Sequence, residues 1–274
     1  MTKERATKLL LVAQQYVNEN IGYPETKQIL DENLMFIDNE PELMDDPMSI
    51  AHQLHDADGA MPMPECVAKF LLEIYFDAYS VGDADAACAL GSLYYTGRAG
   101  EQNYKKAVEY YTFAEEHGSR QAGENLGYCY YYGRDVEKDY EKAYHYFVKG
   151  ALDGHIISLY KIGEMYRNGY YVRKDEKEAF AIYDHCAELQ TDDSIPFCGA
   201  DVYMRIAECF HQGIGVDIDL DRAIFMYQRA EVWFYDRLRK GDFMIARNLD
   251  RVIEAEEEVR KQIRMSMPDK MFEL

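Results

Sequence analysis

Apolar and small residues recur along the middle of the chain with a helical period inside each segment and a longer period between segments. Leu90 and Tyr94, Leu126 and Tyr130, Ile162 and Tyr166, and Ile206 and Phe210 are pairs four apart, each the apolar stripe of an amphipathic helix. Beside them Gly91, Gly127 and Gly163 fall 36 residues apart, and Ala207 takes the same place 44 residues further on, after an insertion of 8 at Gln190 to Phe197. A small residue there lets a neighbouring helix approach closely. Six positions on come Gly97, Gly133, Gly169 and Gly213, which end the helix in a left-handed conformation. Twelve on, Asn103, Asp139, Asp175 and Asp219 can cap a following helix, whose buried face pairs Ala107 with Tyr111, Ala143 with Phe147, Ala179 with Tyr183 and Ala223 with Tyr227. The unit is helix, turn, helix, turn, repeated four times, and the spacing predicts an all-α fold.

Outside the four copies the pattern weakens. Phe70 to Tyr75, with Ala78 and Gly82, fits the second helix of an earlier, degenerate copy. Residues 241 to 246 resemble the start of another copy, and Ile245, Leu249, Val252, Val259 and Ile263 continue a helical stripe. Its other face, Glu254 to Glu258 and Arg260 to Arg264, is charged, as a terminal cap must be on one side. Residues 1–63 align with no copy, although Leu9, Val12, Ala13, Tyr16 and Val17 predict one apolar helical face there. We therefore expect an acidic helical region over 1–63, a repeat array over 64–240 and a capping helix over 241–274.

The repeat motifs resemble the Sel-one-like repeat family, a branch of the tetratricopeptide-like helical repeats. The resemblance rests on Leu90-Gly-Ser-Leu-Tyr94 with Gly97, Leu126-Gly-Tyr-Cys-Tyr130 with Gly133, Ile162-Gly-Glu-Met-Tyr166 with Gly169, and Ile206-Ala-Glu-Cys-Phe210 with Gly213, and covers residues 82–234. The fourth copy departs from the pattern at Ala207 and by its insertion. The resemblance implies a right-handed α-solenoid whose first helices line a concave surface that holds a protein or peptide. Secreted members of the family carry a disulfide in each repeat and are suspected of binding β-lactams. Cys129 and Cys209 share a repeat position here, but neither has a cysteine at the second-helix spacing, and both read as small buried hydrophobes.

Charge narrows the class of partner. The 274 residues carry 30 Lys and Arg against 50 Asp and Glu, a formal net charge of −20. Binding to a nucleic-acid backbone needs clustered cations, so duplex DNA or RNA is not expected as a partner. From Gln28 to Ala68 there is no Lys or Arg, while ten carboxylates lie between Asp31 and Glu65. No apolar run approaches the length of a membrane helix, and the apolar run Leu9 to Ala13 is too short for a signal-peptide core. Six cysteines without metal-type spacing suit a reduced cytoplasmic protein, though their even number leaves disulfides open.

Positions that vary among the copies are where a partner would be read. One column runs Ala89, Asn125, Lys161, Arg205; a second Ser92, Tyr128, Glu164, Glu208; a third Thr96, Tyr132, Asn168, Gln212. We expect Asn125, Tyr128, Tyr132, Lys161, Glu164, Asn168, Arg205, Glu208 and Gln212 to line the binding face, with Lys161 and Arg205 suited to an acidic or carboxylate-ended peptide. Of 24 tyrosines, Tyr94, Tyr110, Tyr111, Tyr130 and Tyr166 read as packing, and Tyr95, Tyr128, Tyr131 and Tyr132 as interface.

Other apparent motifs have simpler readings. Asp217-Ile-Asp-Leu-Asp221 lacks the glycine and glutamate of a calcium loop and reads as the start of a helix. Gly213-Ile-Gly215 follows no strand, so it reads as a repeat turn rather than a nucleotide loop. His52 and His55, with Asp56 and Asp58, could place two imidazoles near carboxylates, with a solvated acidic surface as the alternative. No nucleophile has a neighbouring base, and no cofactor is expected. The expectation is a non-catalytic adaptor or scaffold; the alternative is an acidic immunity or inhibitor protein that neutralises a basic toxin or enzyme.

Overall fold

The computed structural model describes residues 1–20, 22–37, 40–57, 62–190, 198–239, 242 and 245–266. The chain divides into two compact units, Met1–Asp139 and Tyr140–Leu274, and the division falls between the two helices of the second copy.

The first unit holds α1 (Lys3–Glu19), α2 (Pro24–Asn33), β1 (Leu34–Ile37), β2 (Glu40–Leu43), α3 (Pro47–Asp56), α4 (Glu65–Ser80), α5 (Ala84–Thr96), α6 (Tyr104–Glu116) and α7 (Arg120–Tyr132). Thr2 caps α1 through the Arg5 N–H, and Asp46 caps α3 through those of Met48 and Ser49. One core joins Ala6, Leu10, Ala13 and Val17 of α1 to Leu30, Leu34, Leu43, Ile50 and Leu54, to Phe70, Leu71 and Tyr75 of α4, and to Leu90 and Leu93 of α5. The N-terminal elements thus share their core with the first copy.

Two features differ from the sequence expectation. The apolar face of α1 is Ala6, Leu10, Ala13 and Val17, whereas Val12 is 57% and Tyr16 40% exposed. The small Ala6 and Ala13 let α1 approach α4 closely, so the buried stripe follows the alanines and leaves the larger Val12 and Tyr16 outside. The antiparallel pair β1 and β2 was not expected, because Leu34-Met-Phe-Ile37 is an unbroken apolar run without the alternation of a half-buried strand.

The second helix expected of an earlier copy is present as α4. Helix α4 packs against α5, and Gly82, Gly118 and Gly154, 36 residues apart, leave their second helices at φ 91°, 96° and 91°. A turn of the same form therefore follows α4, α6 and the second helix of the next copy.

The second unit holds α8 (Tyr140–Leu152), α9 (Ile156–Asn168), α10 (Glu176–Glu188), α11 (Ala200–Gln212), α12 (Leu220–Arg239) and α13 (Ala246–Ser266). Its core gathers Tyr183, Ile206, Phe210, Tyr227 and Phe234 with Leu249, Val252 and Val259 of α13. Helix α13 lies along α12 and turns Glu254, Glu257, Glu258, Lys261 and Arg264 to solvent, as a cap does. Glu256 departs from that charged outer face: it is buried, held by Arg260 at 2.5 Å and Gln228 at 3.2 Å.

The repeat registers act mechanically as the spacing requires. Gly97, Gly133, Gly169 and Gly213 end their helices at φ 72°, 71°, 72° and 72°. Asn103, Asp175 and Asp219 accept from the first free N–H groups of α6, α10 and α12, so Asp217 to Asp221 is a helix start. A Cβ on Gly91 would lie 2.5 Å from the Tyr111 ring, and one on Gly163 2.7 Å from Tyr183. Two positions past the capping glycine, Asp135, Tyr171 and Gly215 share a second left-handed residue at φ 55°, 63° and 73°. A Cβ on Gly215 would fall 1.9 Å from the carbonyl oxygen of Glu176, so this glycine serves close packing of the turn on α10. Residues 191–197 of the insertion, and Gly241, Phe243 and Met244 of the fifth start, lie outside the described residues.

Candidate functional site

The expected partner residues sit on three first helices: Asn125, Tyr128 and Tyr132 on α7, Lys161, Glu164 and Asn168 on α9, and Arg205, Glu208 and Gln212 on α11. The third column, at the last turn of these helices, is exposed throughout: Thr96, Tyr132, Asn168 and Gln212. Asn168 steadies itself by donating to the Glu164 carbonyl at 2.7 Å, and Thr96 by donating to that of Ser92 at 2.8 Å.

In the first unit, the Tyr128 and Tyr132 rings stack 6.2 Å apart, and the Arg134 guanidinium lies 5.7 Å from the Tyr132 ring and 4.9 Å from that of Tyr104. Asn125 is half-buried, with its amide donating to the Cys88 sulfur at 3.6 Å. Tyr131 corrects the sequence expectation: it is buried, because it lies on the core side of α7 between the buried Cys129 and the exposed Tyr132.

In the second unit the columns of opposite charge meet each other. The Arg205 guanidinium grips Glu164 with two parallel hydrogen bonds, Nε to Oε1 at 2.9 Å and a terminal nitrogen to Oε2 at 3.0 Å. Its other terminal nitrogen reaches Glu208 at 3.0 Å, and Glu208 also accepts from Arg167 at 2.7 Å and Arg251 of α13 at 3.0 Å. The Tyr183 hydroxyl donates to Glu164 at 2.5 Å. Glu164 and Glu208 are 7% and 8% exposed. Burial works to raise the Glu164 carboxyl, but the charge and hydrogen bonds of Arg205 and the Tyr183 hydroxyl outweigh it and hold the group below its ordinary range. Burial opposes the charge of Arg205, which these carboxylates overcome, so its guanidinium stays firmly charged.

This network redirects the expectation for Arg205. The carboxylate it was expected to recruit from a peptide is supplied by the preceding copy, in Glu164. Lys161, at the equivalent position, is half-buried, with its amine 5.7 Å from the Tyr160 ring centroid. Arg167 and Arg251 were missed by sequence reasoning. The signal was available: a column of cations beside a column of acids can pair between neighbouring copies as readily as with a partner.

The remaining chemistry is structural. His52 and His55 both pack on Tyr75, with ring centroids 5.9 Å and 5.8 Å away, and Asp58 lies outside the described residues. No group of three His, Cys, Asp or Glu among the described residues is placed to hold a metal. All six cysteines are free thiols, and burial pushes Cys129 and Cys209 up to about 12.

These paired helices, with a left-handed glycine at the same step in each, agree with the Sel1 repeat model, which matches at residues 84–119, 124–155, 156–184 and 200–231. The chain carries four repeats of the Sel1 repeat family. Its four Sel1 repeats are α5–α6, α7–α8, α9–α10 and α11–α12, and its fold class is the all-α solenoid of that family. The crystal structure of a Sel1 repeat protein from Oxalobacter formigenes is similar, with 20% identity and a TM-score of 0.51, over 73% of this chain and 95% of that one. A protective antigen of uropathogenic Escherichia coli with the same repeat fold is 20% identical over 72% of this chain, at a TM-score of 0.49, and the match spans 41% of that antigen. The likeness to the Oxalobacter protein concerns the fold alone. No curated protein matches the chain.

Proposed function

We propose that this Sel1 repeat protein is a non-catalytic adaptor that holds a protein or peptide through the exposed faces of its first helices. Sel1 repeat proteins are generally protein-interaction scaffolds. The observation that carries the reading is the third column: in each repeat the last turn of the first helix presents an exposed side chain, and these differ from copy to copy as Thr96, Tyr132, Asn168 and Gln212. Positions with a mechanical duty, such as the capping glycines, repeat, whereas this column does not. Tyr128, Asn125 and Lys161 extend the same faces. Buried thiols of raised pKa support a binding role. Free thiols support a reducing compartment such as the cytoplasm as its setting. No helix among the described residues is long and apolar enough to cross a membrane.

The test is a quantitative pull-down from native extract, read by mass spectrometry, with wild type beside the triple variant Tyr132→Ala, Asn168→Ala, Gln212→Ala. These side chains are exposed, so helical content by circular dichroism should be unchanged. Partners enriched by the wild type should fall by roughly tenfold or more with the variant, the effect of losing a few central contacts. An unchanged partner list would move binding away from these faces.

A further inference from the structure

The hairpin outside the repeats carries a second surface. Its register pairs Leu34 with Leu43, Met35 with Glu42, Phe36 with Pro41 and Ile37 with Glu40. Among the described side chains, Leu34 and Leu43 are given to the core, at 5% exposure each, while Met35, Phe36 and Met44 are 44%, 57% and 58% exposed. Large apolar side chains clustered in water on one short element mark an interaction surface.

Backbone pairing says which edge is competent. The Met44 N–H donates to the Asn33 carbonyl at 3.0 Å, so residues 33 and 44 form a hydrogen-bonded pair of the ladder. By alternation, 35 with 42 and 37 with 40 are also hydrogen-bonded pairs, so Phe36 turns its N–H and C=O, and Leu34 its C=O, to the outer edge of β1, while the Leu34 N–H donates to the Leu30 carbonyl of α2. Pro41, lacking an N–H, faces the outer edge of β2 and spoils it for a further strand. The sheet has two strands, and no third is paired to β1 among the described residues.

Charge selects the occupant. Glu42 and Glu40 are two residues apart on one sheet face, and so roughly 7 Å from each other. Glu32, Asp45 and Asp46 are exposed nearby in sequence, and no Lys or Arg occurs from Gln28 to Ala68. We propose that β1 accepts an extended segment of a partner protein in which Lys or Arg alternates with large apolar residues. Its backbone would extend the sheet, its cations lie on the face of Glu40, Glu42 and Met35, and its apolar side chains cover Phe36 on the opposite face. A second copy of this chain would bring like carboxylates together, and an anionic lipid surface would be repelled.

The experiment uses the full chain and fluorescein-labelled synthetic peptides, read by fluorescence polarisation. A peptide alternating Lys with Val should bind, and its affinity should drop by about tenfold or more as the Debye length is shortened from roughly 10 Å to roughly 3 Å with salt. Glu40→Lys with Glu42→Lys should weaken it to a similar degree, as should Phe36→Ser. Should Phe36→Ser disturb folding by circular dichroism, the exposed double glutamate variant decides alone. The triple variant at Tyr132, Asn168 and Gln212 should bind the peptide as wild type does, which separates this surface from the first-helix faces. Oligolysine binding as tightly as the alternating peptide, wild-type affinity in both hairpin variants, loss of binding in the triple variant, or self-association in sedimentation velocity that Phe36→Ser abolishes would each overturn the proposal.

Discussion

Glu164 shows how a residue can be visible in the sequence and yet misread. Its column was legible from the repeat spacing, but its partner was not, because pairing with Arg205 depends on how two copies stack. Buried between Arg205 and Tyr183, it is charged at neutral pH and below its ordinary pKa of 4.5. A folded-state pKa lowered in this way gives stability that is present above the unfolded value and lost as pH falls through the folded one. Glu164→Gln should therefore flatten the acid limb of stability, measured as urea midpoints across pH 3 to 7. At neutral pH the same variant should be less stable than wild type, since it leaves the Arg205 charge buried with one carboxylate fewer. An acid limb identical to wild type would show that the pair is not linked to folding. The glycines were the opposite case: a Cβ on Gly91 or Gly163 meets a ring of the paired helix, so spacing alone announced them.

At the scale of elements, the repeat helices were legible because each signal served one local duty: a stripe, a stop, a cap. Helix α1 was legible as a helix but not in its orientation, since its apolar residues span more than one face and the choice rests with α4. Leu10→Ala should cost about 2–5 kcal/mol in chemical denaturation, whereas Val12→Ala should stay within about 0.5 kcal/mol. Equal losses would return the buried face to the larger side chains. The hairpin escaped sequence reading for a related reason: strand pairing joins two short runs, of which Leu34–Ile37 has no alternation and Glu40–Leu43 alternates over only four residues, one of them a proline.

At the scale of the molecule, repeats hold one another as neighbours, and the last needs a cover. Helix α13 supplies it with Leu249, Val252 and Val259 in the core and Arg251 on Glu208. Truncation after Arg239 should lower amide protection most in α11 and α12 and progressively less in α10 and α9, measured by native-state hydrogen exchange. Uniform loss along the second unit would mean that it opens as one block. Half of the net charge of −20, which at first only excluded nucleic acid, now has a place in the ten carboxylates of the cation-free N-terminal stretch, whereas the buried Glu164 and Glu208 of the repeats are balanced by arginines.

The turn at Gly215 has a consequence for how such an array can change. Asp135 and Tyr171 fill the same left-handed step in earlier copies, but at Gly215 the Glu176 carbonyl leaves no room for a side chain. The copies are alike in outline and not interchangeable: transplanting the third turn into the fourth place would drive a tyrosine into backbone. The fourth copy is fitted to the one before it, so a duplicate placed there must carry a glycine at this step, and the order of the modules is part of what the sequence encodes.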